Sequence, residues 1–195
     1  RSYFLGSFLL HLNGSRGEFS VVDIVDGQQR LTTFIVFINS LVKKLIASSS
    51  SLVSNRTIRK YIRDDEFYRL ETENEDNVFL HNVILDDEDI SLIDIKTNSQ
   101  RLLLEAKDYF NVELDKLDIA TLEKIYKTTT NADILLYVVD QINTATQIFE
   151  LLNDRGRKLT DLESIKSFLM YNAGLVAQHP DQIIKNIQLE FAEIY

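Results

Sequence analysis

One stretch of the chain decides the fold: Val21-Val22-Asp23-Ile24-Val25-Asp26-Gly27-Gln28-Gln29-Arg30-Leu31-Thr32-Thr33. It starts as an apolar, β-branched run of the kind that forms strands, and apolar residues repeat at helical spacing after it. The stretch therefore predicts a strand that turns into a long helix at Gly27. An acid, two amides and an arginine lie at that turn.

The polar residues of this turn allow two interpretations. The first amides of a helix have no partners within it and attract anions, and Gln and Arg side chains add directed donors, so the turn could bind phosphate. Asp26 and Gln29 also have the spacing of a capping box, which only starts the helix. Capping leaves Gln28 and Arg30 unexplained, because a cation in the first turn opposes the helix dipole unless an anion joins it. The residues alone leave both interpretations open.

The composition is that of a globular protein with an acidic surface. The chain has 195 residues, 45% hydrophobic and 26% charged, with a formal charge of −9. That charge argues against a wholly nonspecific DNA-binding surface, although a local basic pocket is compatible with it. The chain has no cysteine and three dispersed histidines, which excludes disulfides and thiolate zinc sites. Neither a membrane-spanning run nor a signal peptide is visible, so we expect no membrane contact and a cytoplasmic location.

Three segments have the pattern of strands: Tyr3–Leu12, which also fits a short helix followed by a strand, Phe19–Val25 and Ala132–Val139. The first two are expected to form a hairpin about a polar turn at residues 13–17. The third is nearly all apolar, which predicts a buried strand, and its expected neighbour is Phe19–Val25. The predicted fold class is therefore α+β, a small sheet packed on helices.

The remaining segments divide the chain into regions. Residues 1–47 and 129–172 are expected to form the core that carries the sheet. Residues 48–128 are expected to form a mostly helical insertion, and residues 173–195 a C-terminal helix. That last helix ends without a cap and the chain begins without methionine, so we expect it to be a piece of a longer protein.

The insertion is rich in charge and has mixed patterns. Helical spacing covers Asn98–Phe110 and Ile119–Lys127, whereas Asn77–Leu85 has a pattern that fits a strand. Acidic runs at residues 64–66 and 86–89 lack the ligand spacing of a calcium loop, so we interpret them as solvated loops.

A second polar turn follows the third predicted strand and one helix: Asn153-Asp154-Arg155-Gly156-Arg157-Lys158. An ordinary helix connection, ended by Gly156, would explain it without any ligand. Asn153 and Arg155 would also serve as anion donors. If the third strand pairs with Phe19–Val25, the elements after both strands meet, and the two polar turns are then expected to lie side by side.

The two turns together resemble a known family. Asp26-Gly27-Gln28-Gln29-Arg30-Leu31-Thr32-Thr33, with Tyr3-Phe4-Leu5-Gly6-Ser7 upstream, is similar to the signature of the N-terminal domain of GmrSD-type restriction endonucleases, also catalogued as domain of unknown function 262. Residues 149–166 fit its second signature, F-x-x-L-N-x-R-G-x-x-L-x-x-x-D/E-x-I/V-K. The two signatures occur in the family's order and span residues 3–166.

The resemblance implies a ParB/sulfiredoxin-like fold that binds and hydrolyses nucleoside triphosphates as a regulatory domain in bacterial defence against phage or modified foreign DNA. It implies catalytic or phosphate-binding roles for these residues: Asp26, Gly27, Gln28, Gln29, Arg30, Thr32, Asn153, Arg155 and Gly156. Asp26 would orient these groups, or handle water or a metal, for which Mg²⁺ is the expected ion. DNA is the implied partner, through other parts of the full-length protein. A nuclease partner domain or a second copy of the chain is a further expected partner.

Two features depart from the family pattern. The family carries a Gln-Arg segment before Tyr3-Phe4-Leu5-Gly6, and this chain starts after that point. The HNH nuclease domain of fused members has no counterpart in these residues.

Two other functions therefore stay open, a ParB-like nuclease acting on DNA phosphodiesters and a non-enzymatic protein-interaction module.

Overall fold

The computed structural model describes residues 3–89, 94–153, 165–166, 169–170, 172–173 and 180–192. The strands are β1 (Phe4–Arg16), β2 (Phe19–Asp26), β3 (Arg63–Asp64), β4 (Phe67–Tyr68) and β5 (Asp133–Val139). The α-helices are α1 (Gln28–Ala47), α2 (Asn55–Tyr61), α3 (Asn74–Val78), α4 (Asn98–Asp115), α5 (Ile119–Thr130), α6 (Ile142–Asn153) and α7 (Pro180–Ala192), and a π-helix covers Phe79–Leu85.

The chain forms two compact units. The helical unit comprises the described residues of 1–4 and 29–133, and the sheet unit comprises those of 5–28 and 134–195. A small mixed sheet and many helices in one chain confirm the predicted α+β class. The boundary between the units falls between Gln28 and Gln29, one residue into α1.

The sheet unit is built on a three-stranded sheet with the order β2-β1-β5. The predicted hairpin is confirmed, because β1 and β2 pair antiparallel with Leu10 opposite Ile24. The polar residues expected to form its turn continue β1 as far as Arg16, and the turn lies at Gly17, where φ is +61°. A second part of this unit packs Met170, Ala173 and Ile184 together.

Two expectations for β5 are wrong. Its neighbour is β1 and not β2, so β5 stands at the edge of the sheet. It is also exposed: Ile134 and Val138 keep 50% and 53% of their surface. An unbroken apolar run is typical of strands covered on both faces, but an edge strand has only one strand beside it. The sequence pattern carries no information about which strand occupies the edge.

The core of the helical unit forms around α1. The apolar stripe of α1 predicted its burial: Ile38, Leu41 and Leu45 are fully buried. Phe37 of α1 meets Phe110 of α4 edge to face, with ring centroids 5.1 Å apart. The helices expected at Asn98–Phe110 and Ile119–Lys127 are present as the slightly longer α4 and α5.

The segment expected to be a strand at Asn77–Leu85 is helical instead, as the end of α3 and the π-helix. Six of the seven π-helix residues are buried and five of those six are apolar, which suits a helix in a core. The last carbonyls of the π-helix lack partners within the helix, as at any helix end. Three side chains satisfy them: Lys107 donates to Val83 O (2.5 Å), Lys43 to Leu85 O (2.5 Å), and Asn39 to Ile84 O and Leu85 O (3.4 and 3.1 Å).

The acidic runs are more than solvated loops. The carboxylate of Asp87 lies 2.5 Å from the Lys43 Nζ and 2.6 Å from the Lys107 Nζ. Asp87 therefore bridges the two lysines that cap the π-helix. Asp86 accepts hydrogen bonds from Arg63 at 3.0 Å and from the Tyr68 hydroxyl at 2.6 Å.

The two lysines make the contribution of Asp87 to stability dependent on pH. Burial raises the pKa of Asp87, but hydrogen bonds from Lys107 and Lys43 outweigh it and hold that pKa below its ordinary value. A carboxyl group whose pKa is lower in the folded protein than in the unfolded chain stabilises the fold. That contribution is complete above the unfolded pKa, about 3.9, and is lost as the pH falls through the folded pKa.

We therefore expect urea unfolding to show Asp87→Asn less stable than wild type at neutral pH, with the difference shrinking below about pH 4. Asparagine tolerates the φ of +61° found at this position. A difference that is constant down to acid pH would contradict the bridging role.

Candidate functional site

The turn between β2 and α1 is shaped by Gly27. Gly27 is buried and has φ +93°, a conformation that residues with a side chain rarely adopt. A Cβ at this position would stand 2.5 Å from Cδ1 of Phe8 and 3.3 Å from Ser7 O. Phe8 itself is only 4% exposed, so its ring has little room to move. Glycine is therefore required here both by backbone conformation and by packing.

Gln28, the first residue of α1, ties the helix to the strand before it. Its side-chain Nε2 donates a 2.7 Å hydrogen bond to Ile24 O on β2. This bond uses one donor of an amide that the sequence assigned to phosphate. The Gln28 side chain stays exposed, and its remaining polar atoms are still available to a ligand.

The next residues lie in the first turns of α1. Gln29 and Arg30 are exposed, and Thr32 is half-buried. No acidic residue lies in the first turn of this helix, where a carboxylate would complement the dipole. The start of α1 therefore has exposed amide and guanidinium donors, which suits an anion better than a cation.

Asp26 is the last residue of β2, opposite Leu9 of β1, and is half-buried. The helix begins at Gln28, so Gly27 is the residue immediately before it. Asp26 and Gln29 therefore do not occupy the two positions that a capping box requires. This helix boundary removes the main support for the capping interpretation of Asp26.

The second polar turn lies mostly outside the described residues. Arg155 and Gly156 belong to the undescribed stretch, and Asn153 is described only as the last residue of α6. Helix α6 contacts β2, so the helix that leads into the second turn packs on the strand that leads into the first. The expected closeness of the two turns stays a prediction. The pairing of β5 with β2, which was its physical reason, is wrong.

Asp26 supplies one carboxylate for a metal at the first turn. Within the described residues, no three His, Asp or Glu side chains are grouped as a metal site would require. Mg²⁺ is commonly held by one or two carboxylates together with the phosphates of a nucleotide. A single carboxylate at this turn fits Mg²⁺ held together with the phosphates of a nucleotide.

Sequence reasoning missed a basic cleft at α2 in the helical unit. Arg56, Arg59, Lys60 and Arg69 line it, together with Tyr61 and Tyr126. The signal that could have revealed it is the placing of three cations at i, i+3 and i+4, which share one face of a helix. The acidic run at residues 64–66 follows closely and balances these cations in any count of local charge.

These features define a class, an α+β domain in which a sheet strand passes through a buried glycine into a helix that starts with exposed amide and guanidinium groups. A family model described as GmrSD restriction endonuclease, N-terminal domain, matches residues 1–170. The chain therefore belongs to that family and is part of a restriction endonuclease defence protein. Comparison with curated proteins found no match.

Among the described residues, no helix combines the length and apolar character that crossing a membrane requires.

The fit of Gly27 can be tested by adding one methyl group. Gly27→Ala should lower the free energy of unfolding by about 2–4 kcal/mol, the combined effect of the positive φ and of overpacking against Phe8. Gly14→Ala is a matched control, because Gly14 has nearly the same φ of +95° with nothing within 4 Å of an added Cβ. Denaturant unfolding of both variants separates the two effects. Equal losses at the two positions would show that packing against Phe8 is unimportant.

Proposed function

We propose that the Asp26–Arg30 turn binds the phosphates of a nucleoside triphosphate, and that this domain hydrolyses it to regulate a DNA-targeting restriction protein. The observation that carries the proposal is the start of α1, where Gln29 and Arg30 are exposed and no acid lies in the first turn. The first amides of a helix bind anions, and guanidinium adds a charge-assisted donor. Membership of the restriction family supports a role in defence.

The proposed chemistry is phosphoryl transfer to water. A water molecule attacks the terminal phosphorus, the bond to the bridging oxygen breaks, and a nucleoside diphosphate and phosphate leave. Such reactions depend on positioning and on stabilising the charge of the transferring group. Arg30 and Gln29 would hold the phosphates, and Asp26 would orient the attacking water. Mg²⁺, when bound with the nucleotide, would neutralise part of the phosphate charge.

The rigid backbone before α1 supports this proposal. Gly27 lets the backbone come close to a ligand, since it has no side chain, and Phe8 fixes its position. A turn held in this way does not have to be ordered when the ligand binds, which favours affinity. In the full-length family pattern, Thr32 from α1 and Asn153, Arg155 and Gly156 from the second turn would complete the pocket.

Replacement of Arg30 tests phosphate binding. Arg30→Ala should weaken triphosphate binding by about 1–3 kcal/mol, the range of a charge-assisted hydrogen bond. Calorimetry with ATP and with GTP, each with Mg²⁺, measures this loss and compares the two bases. Arg101→Ala is the control, because Arg101 is an exposed arginine of α4 that pairs with Glu105 on its own helix. Unchanged affinity in Arg30→Ala would exclude a phosphate contact there.

Replacement of Asp26 tests the chemical step. Asp26→Asn keeps the size of the side chain and removes its charge, so phosphate release should fall by about 10²-fold or more if the carboxylate orients water. Asp23→Asn is the control, because Asp23 lies on the same strand and hydrogen-bonds to His11 and Asn13. Equal turnover in wild type and Asp26→Asn would leave Asp26 no catalytic role. Cleavage of DNA without any triphosphate would instead favour a ParB-like nuclease.

A further inference from the structure

The basic cleft at α2 has a volume of about 520 Å³ and lies wholly within the helical unit. Four of its lining side chains are cationic and none carries a carboxylate. This composition contrasts with the chain as a whole, whose formal charge is −9. A local excess of positive charge on an acidic protein therefore needs its own explanation.

Two short elements hold the cations in place. Arg56, Arg59 and Lys60 lie on α2 at i, i+3 and i+4, so they share one face over about one helical turn. Arg69, just after β4, donates from Nε and Nη2 to the Arg59 carbonyl, at 3.0 and 2.8 Å. This contact joins the loop to the C-terminal end of α2 and places a fourth cation beside the other three.

The nearby acids neutralise only part of this charge. Arg59 has carboxylate partners at 3.8 Å on both Asp64 and Asp65, and Arg69 has one at 3.5 Å on Asp64. Asp64 and Asp65 therefore offset part of the positive charge at Arg59 and Arg69. Arg56 and Lys60 are exposed, and neither forms an ion pair with any residue that the structure describes. Both therefore remain available to an external anion.

We propose that this cleft binds the phosphate backbone of duplex DNA, with Arg56 and Lys60 as the principal contacts. DNA is the partner that a restriction endonuclease must meet, and a row of cations on one helix face matches repeated phosphates. This places a DNA contact in this chain itself, whereas the sequence suggested other parts of the protein. The proposal is independent of the nucleotide site, because it uses none of the residues of the Asp26–Arg30 turn.

The charged side chains of the cleft indicate contact with phosphates rather than with base edges. The Lys60 ammonium lies 4.7 Å from the centroid of the Tyr61 ring. Contacts to phosphate carry no sequence information, so duplexes of unrelated sequence should bind equally.

A charge-matched pair of double variants tests the proposal. Arg56→Ala/Lys60→Ala removes two cations from the cleft, and Arg101→Ala/Lys116→Ala removes two that pair with Glu105 and Glu113 on or beside α4. Both variants change the net charge equally. Fluorescence anisotropy with a short labelled duplex, without nucleotide and across a salt series, measures DNA binding by the whole chain. Thermal unfolding confirms that both variants fold, as expected for alanine at exposed positions of helices.

The cleft variant should bind at least about tenfold more weakly than wild type. Its salt slope should fall by about 2, since each phosphate that a cation neutralises contributes close to 0.9. The control should bind as wild type does. Equal weakening of both variants would show a general charge effect and overturn the proposal, as would no weakening in either. It would also be overturned if wild type bound poly-glutamate or RNA but not duplex DNA. Since no nucleotide is present, these results do not depend on the proposed triphosphate site.

Discussion

Gly27 leaves no room for a side chain, because its φ is +93° and a ring carbon of Phe8 would lie 2.5 Å from a Cβ. Gly27 takes this positive φ at the single residue between the end of β2 and the start of α1. Gln28 then ties the first turn of the helix back to β2 through the Ile24 carbonyl. The backbone of Gly27 and Gln28, immediately before these exposed donors, is thus packed against Phe8 and hydrogen-bonded to Ile24. A site prepared in this way loses little entropy when a ligand binds.

Two pairs of cations in the helical unit have different physical roles. Lys43 and Lys107 cap the carbonyls of the π-helix and share the carboxylate of Asp87, so their charges are used within the fold. Arg56 and Lys60 are exposed at the rim of the α2 cleft without an acidic partner among the described residues. The distinction depends on contacts between elements distant in sequence. Composition alone assigns the same charge to both groups.

The sequence predicted the features that depend on local patterns. The hairpin of β1 and β2, the strand-to-helix change at Gly27, and α1, α4 and α5 follow from alternation, helical spacing and turn residues. It did not predict the features that depend on neighbours. The apolar run of β5 indicates burial, yet the sheet order puts it at an edge. The π-helix has β-branched residues that favour a strand, but side chains of α1 and α4 satisfy the carbonyls at its end, a contact that the local pattern does not reveal.

The candidate site shows the same division. The residues Asp26–Arg30 are recognisable from sequence because they are contiguous and match a family signature, and the family is confirmed. The packing of Phe8 on Gly27 and the hydrogen bond of Gln28 were not predictable, because they depend on the register of β1 against β2. The α2 cleft was missed because Arg69 joins the three cations of α2 only when the β3–β4 hairpin folds back onto that helix.

The central claim, that the start of α1 binds a triphosphate, is tested most directly by amide hydrogen exchange with and without nucleotide and Mg²⁺. The amides of a first helical turn have no partners within the helix and exchange quickly unless a ligand accepts their hydrogen bonds. We expect added triphosphate to slow exchange at residues 27–31 and to leave α4 unchanged. Nucleotide binding that leaves the amides of residues 27–31 exchanging at their original rate would contradict the account.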